Sequence, residues 1–106
     1  KFNRVKSGYH PHTNMAKAAL NMMTLTSAKE LSKSNIFMTS VDTGWINDEN
    51  PLWKANLYAK AHNFQTPLDE VDAAARVLDP VFDGVNKGGA DLPFGVFFKD
   101  YHVTEW

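Results

Sequence analysis

From Thr13 to Lys33 the chain carries no Gly or Pro, and Ala16, Leu20, Met23, Ser27 and Leu31 recur at three- and four-residue spacing. That period marks one face of a helix. Met15, Ala18, Ala19 and Met22 widen the apolar surface, which predicts packing on two sides. Lys33, Ser34 and Asn35 suit the helix C-terminus. The pattern then changes. Ile36, Phe37, Met38 and Val41 form a short run with little alternation, the mark of a strand covered on both faces. Asp42, Thr43 and Gly44 open a loop.

Residues 47–65 hold Pro51, Trp53, Leu57, Tyr58 and Phe64. Leu52–His62 can be helical, yet the segment is long for a connector and has the length of a lid or binding surface. A second helix is announced by Thr66 as cap, Pro67 at its first position and Asp69 as capping-box acid. Ala74, Val77, Leu78 and Val81 supply its buried face, and Pro80 is expected to kink or end it. Gly84, Gly88 and Gly89 lead to "GVFFKDY", residues 95–101, which reads as a final strand. Two such strands cannot cover their own faces and edges. More sheet is therefore expected, upstream in the same polypeptide or in another chain.

Composition narrows the function classes. The chain has 106 residues, 43% hydrophobic and 22% charged, with a net charge of -1. That balance gives no electrostatic reason to propose nucleic acid or an acidic membrane as partner. With no cysteine, disulfides, thiolate metal sites and cysteine nucleophiles are excluded. No apolar run is long enough to span a bilayer and no signal-peptide pattern opens the chain, so a cytoplasmic location is the expectation. Beginning at Lys1 rather than Met, the chain is expected to be processed or part of something longer.

Several segments together resemble the C-terminal half of short-chain dehydrogenases/reductases: the helix "AKAALNMMTLTSAKEL", the strand "IFMTSVDTGWI" and the later "TPLDEVDAAARVL". In that family an Ala-rich helix carries Tyr-x-x-x-Lys, followed by a strand and a Pro-Gly turn. A variable substrate loop, a helix and a last strand come next. The resemblance covers nearly the whole chain from about residue 10. It implies that residues 1–106 are the C-terminal portion of a doubly wound, parallel-sheet (Rossmann-type) α/β domain, with the substrate loop at about 47–65. It further implies NAD or NADP as cofactor, a small-molecule carbonyl or alcohol as substrate, and a homo-oligomer or companion chain completing the sheet.

Residue by residue, the family lysine falls on Lys17, which the resemblance casts as a donor to the nicotinamide ribose. The same ammonium would lower the pKa of a neighbouring phenol from about 10. The tyrosine position falls on Thr13, whose hydroxyl donates a hydrogen bond but is a poor proton donor. Tyr9 lies before Pro11 and outside the helical register; His12, an imidazole capable of acid–base chemistry, is the other substitute. The Pro-Gly turn becomes Thr43-Gly44, and the backbone at Ile46 would meet the nicotinamide carboxamide. Asp48 replaces a residue that is often threonine near the cofactor phosphates. No G-x-G-x-x-G is present.

Blander readings stand beside these. Lys17 can lay its methylenes on apolar surface with its amine in water. The aromatic residues Trp45, Trp53, Tyr58 and Phe64 suit a substrate pocket, a core anchor or a subunit contact. His10 and His12 form H-x-H, which lacks a third metal ligand, so no metal site is expected. Asp42, Asp48 and Glu49 read as turn residues. The choice left by the residues is between an NAD(P)-dependent oxidoreductase and a catalytically impaired scaffold that binds cofactor or protein.

Overall fold

The computed structural model describes residues 8–46, 57, 60, 66–89 and 91–106. Helix α1 runs Pro11–Ser32, strand β1 Ser40–Asp42, helix α2 Glu70–Asn86, strand β2 Phe97–Lys99 and strand β3 His102–Thr104. Leu57 and Lys60 have helical backbone; the rest of the 47–65 loop, with Trp53, Tyr58, Asp48 and Glu49, lies outside the described residues.

Pro at the first position opens α1, and Asn35 closes it in the left-handed region at φ 58. Asn tolerates that conformation better than most residues, and it lets Ile36 N–H reach back to the Leu31 carbonyl at 3.1 Å. The chain then returns along α1. Thr24 and Ala28 are the residues α1 buries. The Ser40 hydroxyl donates to Thr24 Oγ1 at 2.9 Å, and that hydroxyl donates to the Leu20 carbonyl at 3.2 Å. One turn further on, Ala28 meets Gly95, where an added Cβ would stand 3.2 Å from the alanine methyl. The expected face through Ala16, Leu20, Met23, Ser27 and Leu31 is thus rotated. Leu20 and Met23 stay exposed, because small and hydroxylic side chains allow the closest approach to the sheet.

Strands β1 and β2 pair in parallel, Ser40 with Phe97, Val41 with Phe98 and Asp42 with Lys99. Successive strand side chains point to opposite faces. Ser40 meets α1, whereas Thr39, Val41 and Phe98 line a cleft with Val77, Pro80, Val81 and Gly84 of α2. The two helices therefore cover opposite faces of the sheet.

Helix α2 starts later than expected. Asp69, not Thr66, is the cap: its carboxylate accepts from Asp72 N–H at 2.9 Å, and the Asp72 carboxylate accepts from Asp69 N–H, a reciprocal capping box. Leu68 is held instead in a parallel bridge with Ile46, which keeps it out of the helix. Pro80 does not end α2, which continues to Asn86. Ala73 is its buried residue, while Val77, Leu78 and Val81, the expected core face, remain exposed.

The strand expected over 95–101 is three residues long. A two-residue turn at Asp100 and Tyr101, both at positive φ (47 and 68), sends the chain back as β3. Phe98 faces Val103 and Lys99 faces His102 across the antiparallel pair. Positive φ at both central residues gives the twist that two-residue hairpins need. Phe97 stacks on Trp106 with ring centroids 5.7 Å apart.

The doubly wound, Rossmann-type architecture expected for this chain is overturned by these elements. The described residues build two helices and three strands of three residues in the order β1-β2-β3, with β3 antiparallel. A doubly wound domain needs a wide, mostly parallel sheet with helices stacked along both faces. The tight turn after Lys99 permits only an antiparallel neighbour. The class is mixed α/β on a small mixed sheet.

Candidate functional site at the carboxyl ends of the parallel strands

Strands that run parallel bring their carboxyl ends, and the loops that follow, to one edge of the sheet. Asp42 and Lys99 close β1 and β2 at that edge as register partners. Lys99 Nζ donates to Asp42 Oδ2 at 2.8 Å, and the other carboxylate oxygen accepts the Gly44 N–H at 2.9 Å. Burial raises the Asp42 pKa, but hydrogen bonds from Lys99 and from Gly44 N–H outweigh it and hold the carboxyl below its usual value of 3.8.

Gly44 sits at φ 84, and a Cβ there would strike Leu68 Cδ1. Glycine suits this position for its left-handed backbone, and any side chain here would also have to displace the end of Leu68. Ile46 then bridges Leu68. Thr43 and Ile46 are half-buried in this turn and Trp45 projects outward.

On the opposite face Arg76 braces the hairpin. Its Nε donates to Asp100 Oδ1 at 3.3 Å, Nη1 donates to the Asp72 carbonyl at 2.9 Å, and the guanidinium lies 5.1 Å from the Tyr101 ring centroid. That cation–π contact offsets part of the roughly 1–2 kcal/mol cost of a left-handed non-glycine residue.

Thr13 and Lys17 stand one turn apart on α1, both exposed. At 100° per residue, Thr13, Lys17, Thr24 and Ala28 fall within about 60° of one another. They share the stripe that faces the sheet. Helix and strand run in opposite directions, since Thr24 meets Ser40 while Ala28 meets Gly95, which itself donates to the Met38 carbonyl at 2.8 Å. Lys17 is therefore about 10 Å beyond Thr24 along the helix axis. Asp42, the last residue of β1, is about 7 Å beyond Ser40 in the same direction. Thr13 and Lys17 overhang the carboxyl end of β1, on the side that carries Asp42 and Lys99. Among the described residues the Lys17 amine has no hydrogen bond or ion pair.

Tyr9 is exposed ahead of the helix, and His10, at φ 60, caps it without a side-chain hydrogen bond. The rings of His10 and His12 meet edge to face, 6.0 Å apart. Among the described residues no three His, Cys, Asp or Glu side chains gather as a metal site, and no helix is long and apolar enough to cross a membrane.

Sequence reasoning missed Lys99, Arg76, Asp100 and Tyr101. Asp42 does serve the turn, as its sequence context suggests, but its second oxygen serves a strand 57 residues away. Only a lysine ending a short aromatic run pointed there, a signal no stronger than many surface lysines give.

No known protein family and no solved structure matches the chain. It is 36% identical over 89 residues to an uncharacterized protein of Acanthamoeba polyphaga mimivirus, a match that takes in 76% of this chain and 18% of the viral protein. The chain thus corresponds to a small part of that relative's length.

Proposed function

We propose that the carboxyl edge of β1, with the overhanging end of α1, forms the nicotinamide–ribose end of a short-chain dehydrogenase/reductase-type site for NAD or NADP. The observation that carries this reading is the spacing that sets Thr13 and Lys17 on the sheet-facing stripe of α1, beyond the end of β1. The fit is local. The exposed Lys17 amine is a donor with capacity for ribose hydroxyls, and the Thr43–Ile46 backbone lies at the same edge. Among the described residues there is no glycine-rich phosphate cradle, so the fit covers the nicotinamide end alone.

A bound nicotinamide would supply or accept a hydride, with a small carbonyl or alcohol as its counterpart. The chain's own contribution is to bind and orient. Lys17 holds the sugar, and Thr13 can donate one hydrogen bond to a substrate oxygen. Trp45, exposed in the same turn, is assigned to the substrate side. Thr13 is also the observation that favours a second reading, cofactor binding without turnover, because an aliphatic hydroxyl is not the tuned phenol that this chemistry ordinarily uses.

Titration of the full-length protein with NADH and NADPH tests both. Binding with turnover on a carbonyl and alcohol panel supports the oxidoreductase, binding alone supports the scaffold, and no binding removes both. The outer edge of β1 has no strand beside it among the described residues. We assign that edge to a second copy or a companion chain, and sedimentation of the 106 residues as a single stable monomer would overturn the assignment.

A further inference from the structure

We propose that the Asp42–Lys99 pair is a clasp that sets the Thr43–Ile46 turn against the sheet, with Lys99 as a positioning residue; the ligand it positions for rests on the nucleotide reading above. Asp42 divides its two oxygens between the Gly44 N–H inside the turn and the Lys99 ammonium on the neighbouring strand. An exposed ion pair contributes little by itself. Here the two side chains are each about one-third exposed, at 31% and 32%, and the pairing fixes the rotamer in which the carboxylate can also accept from Gly44.

The turn is held at three points. Asp42 holds its start, Leu68 fills the space that glycine leaves open at its middle, and the Ile46–Leu68 bridge holds its end. The last two tie the turn to the segment before α2. Of the three, the clasp alone reaches across to β2, and through it the turn is registered to the hairpin that Arg76 braces from the opposite face. Arg76 is engaged by Asp100 and the Asp72 carbonyl, so it does not compete for Asp42.

In the full-length protein, Lys99→Met keeps the aliphatic stem and removes the ammonium. The exchange rate of the Gly44 backbone amide is expected to rise several-fold, and NADH or NADPH binding to weaken several-fold at temperatures far below unfolding. Lys99→Arg is expected to restore both. Asp42→Asn, which keeps an acceptor for Gly44 but loses the charge, should give a smaller rise and serves if Lys99→Met does not fold. Unchanged Gly44 exchange in a folded variant overturns the clasp. Faster exchange with unaltered nucleotide affinity overturns the positioning role. If the wild type binds neither nucleotide while Lys99→Met still frees Gly44, the nucleotide reading fails and the clasp stands.

Discussion

The two faces of the sheet are packed in different ways. On the α1 face the contacts are small and close. Ala28 is 1% exposed, Gly95 lies so close under it that an added methyl would stand 3.2 Å from the alanine Cβ, and the Ser40 hydroxyl donates to Thr24 Oγ1. On the α2 face a cleft of about 790 Å³ separates the helix from Phe37, Thr39, Val41 and Phe98, and Val77 and Val81 keep 45% and 55% of their surface exposed. Apolar content does not explain the contrast, since α2 carries several large aliphatic residues. Side-chain size at the points of closest approach does. Small residues let backbone meet backbone, while α2 presents valines and a proline to a sheet that has little width to receive them.

The contrast predicts opposite responses to added volume. Gly95→Val should be the most damaging change. It places a β-branched residue at φ 66, costing about 1–2 kcal/mol, and it overfills the Ala28 contact at a further cost of about 1–3 kcal/mol. Thermal unfolding should show a loss near 3 kcal/mol; a loss below 1 kcal/mol would mean that α1 is not seated closely. Thr24→Val should cost about 1 kcal/mol, because the half-buried Ser40 hydroxyl loses its acceptor. Pairing it with Ser40→Ala in a double-mutant cycle should recover part of that loss, and strict additivity would show that the two hydroxyls do not interact.

On the looser face Gly84→Ala should be nearly neutral or stabilising, up to about 0.5–1 kcal/mol. Helix propensity favours alanine by that amount, and the new methyl meets only the movable ends of Leu92, at 3.2 and 3.3 Å. A clear loss would mean that the cleft closes in solution. The smallest effect is expected from pH. Asp42 has a lowered pKa in the folded chain, so its stabilisation is complete above the unfolded value and is lost as pH falls through the folded one, below about 4. Melting temperatures from pH 7 to pH 3 should therefore fall slightly less for Asp42→Asn than for the wild type. Identical pH profiles would show that the pair with Lys99 is too well solvated to register.

What the sequence determined by itself is what depends on near neighbours. Helix α1 was legible because an uninterrupted 3.6-residue period needs no tertiary help, and the Gly44 turn because few residues other than glycine take φ 84 readily. The juxtaposition of Thr13 and Lys17 followed from their spacing of four. The tertiary structure decided the rest. Which stripe of α1 is buried depends on Gly95, far along the chain, and so the large apolar residues lost to Thr24 and Ala28. The start of α2 moved from Thr66 to Asp69 because Leu68 is claimed by Ile46. Asp100 and Tyr101 form a hairpin turn without glycine, with Arg76 bracing it from another element. The width of the sheet, and with it the failure of the doubly wound expectation, is a property of strand pairing that no local pattern encodes. The Asp42–Lys99 contact arises in the same way: parallel register brings together two side chains that are unrelated along the chain.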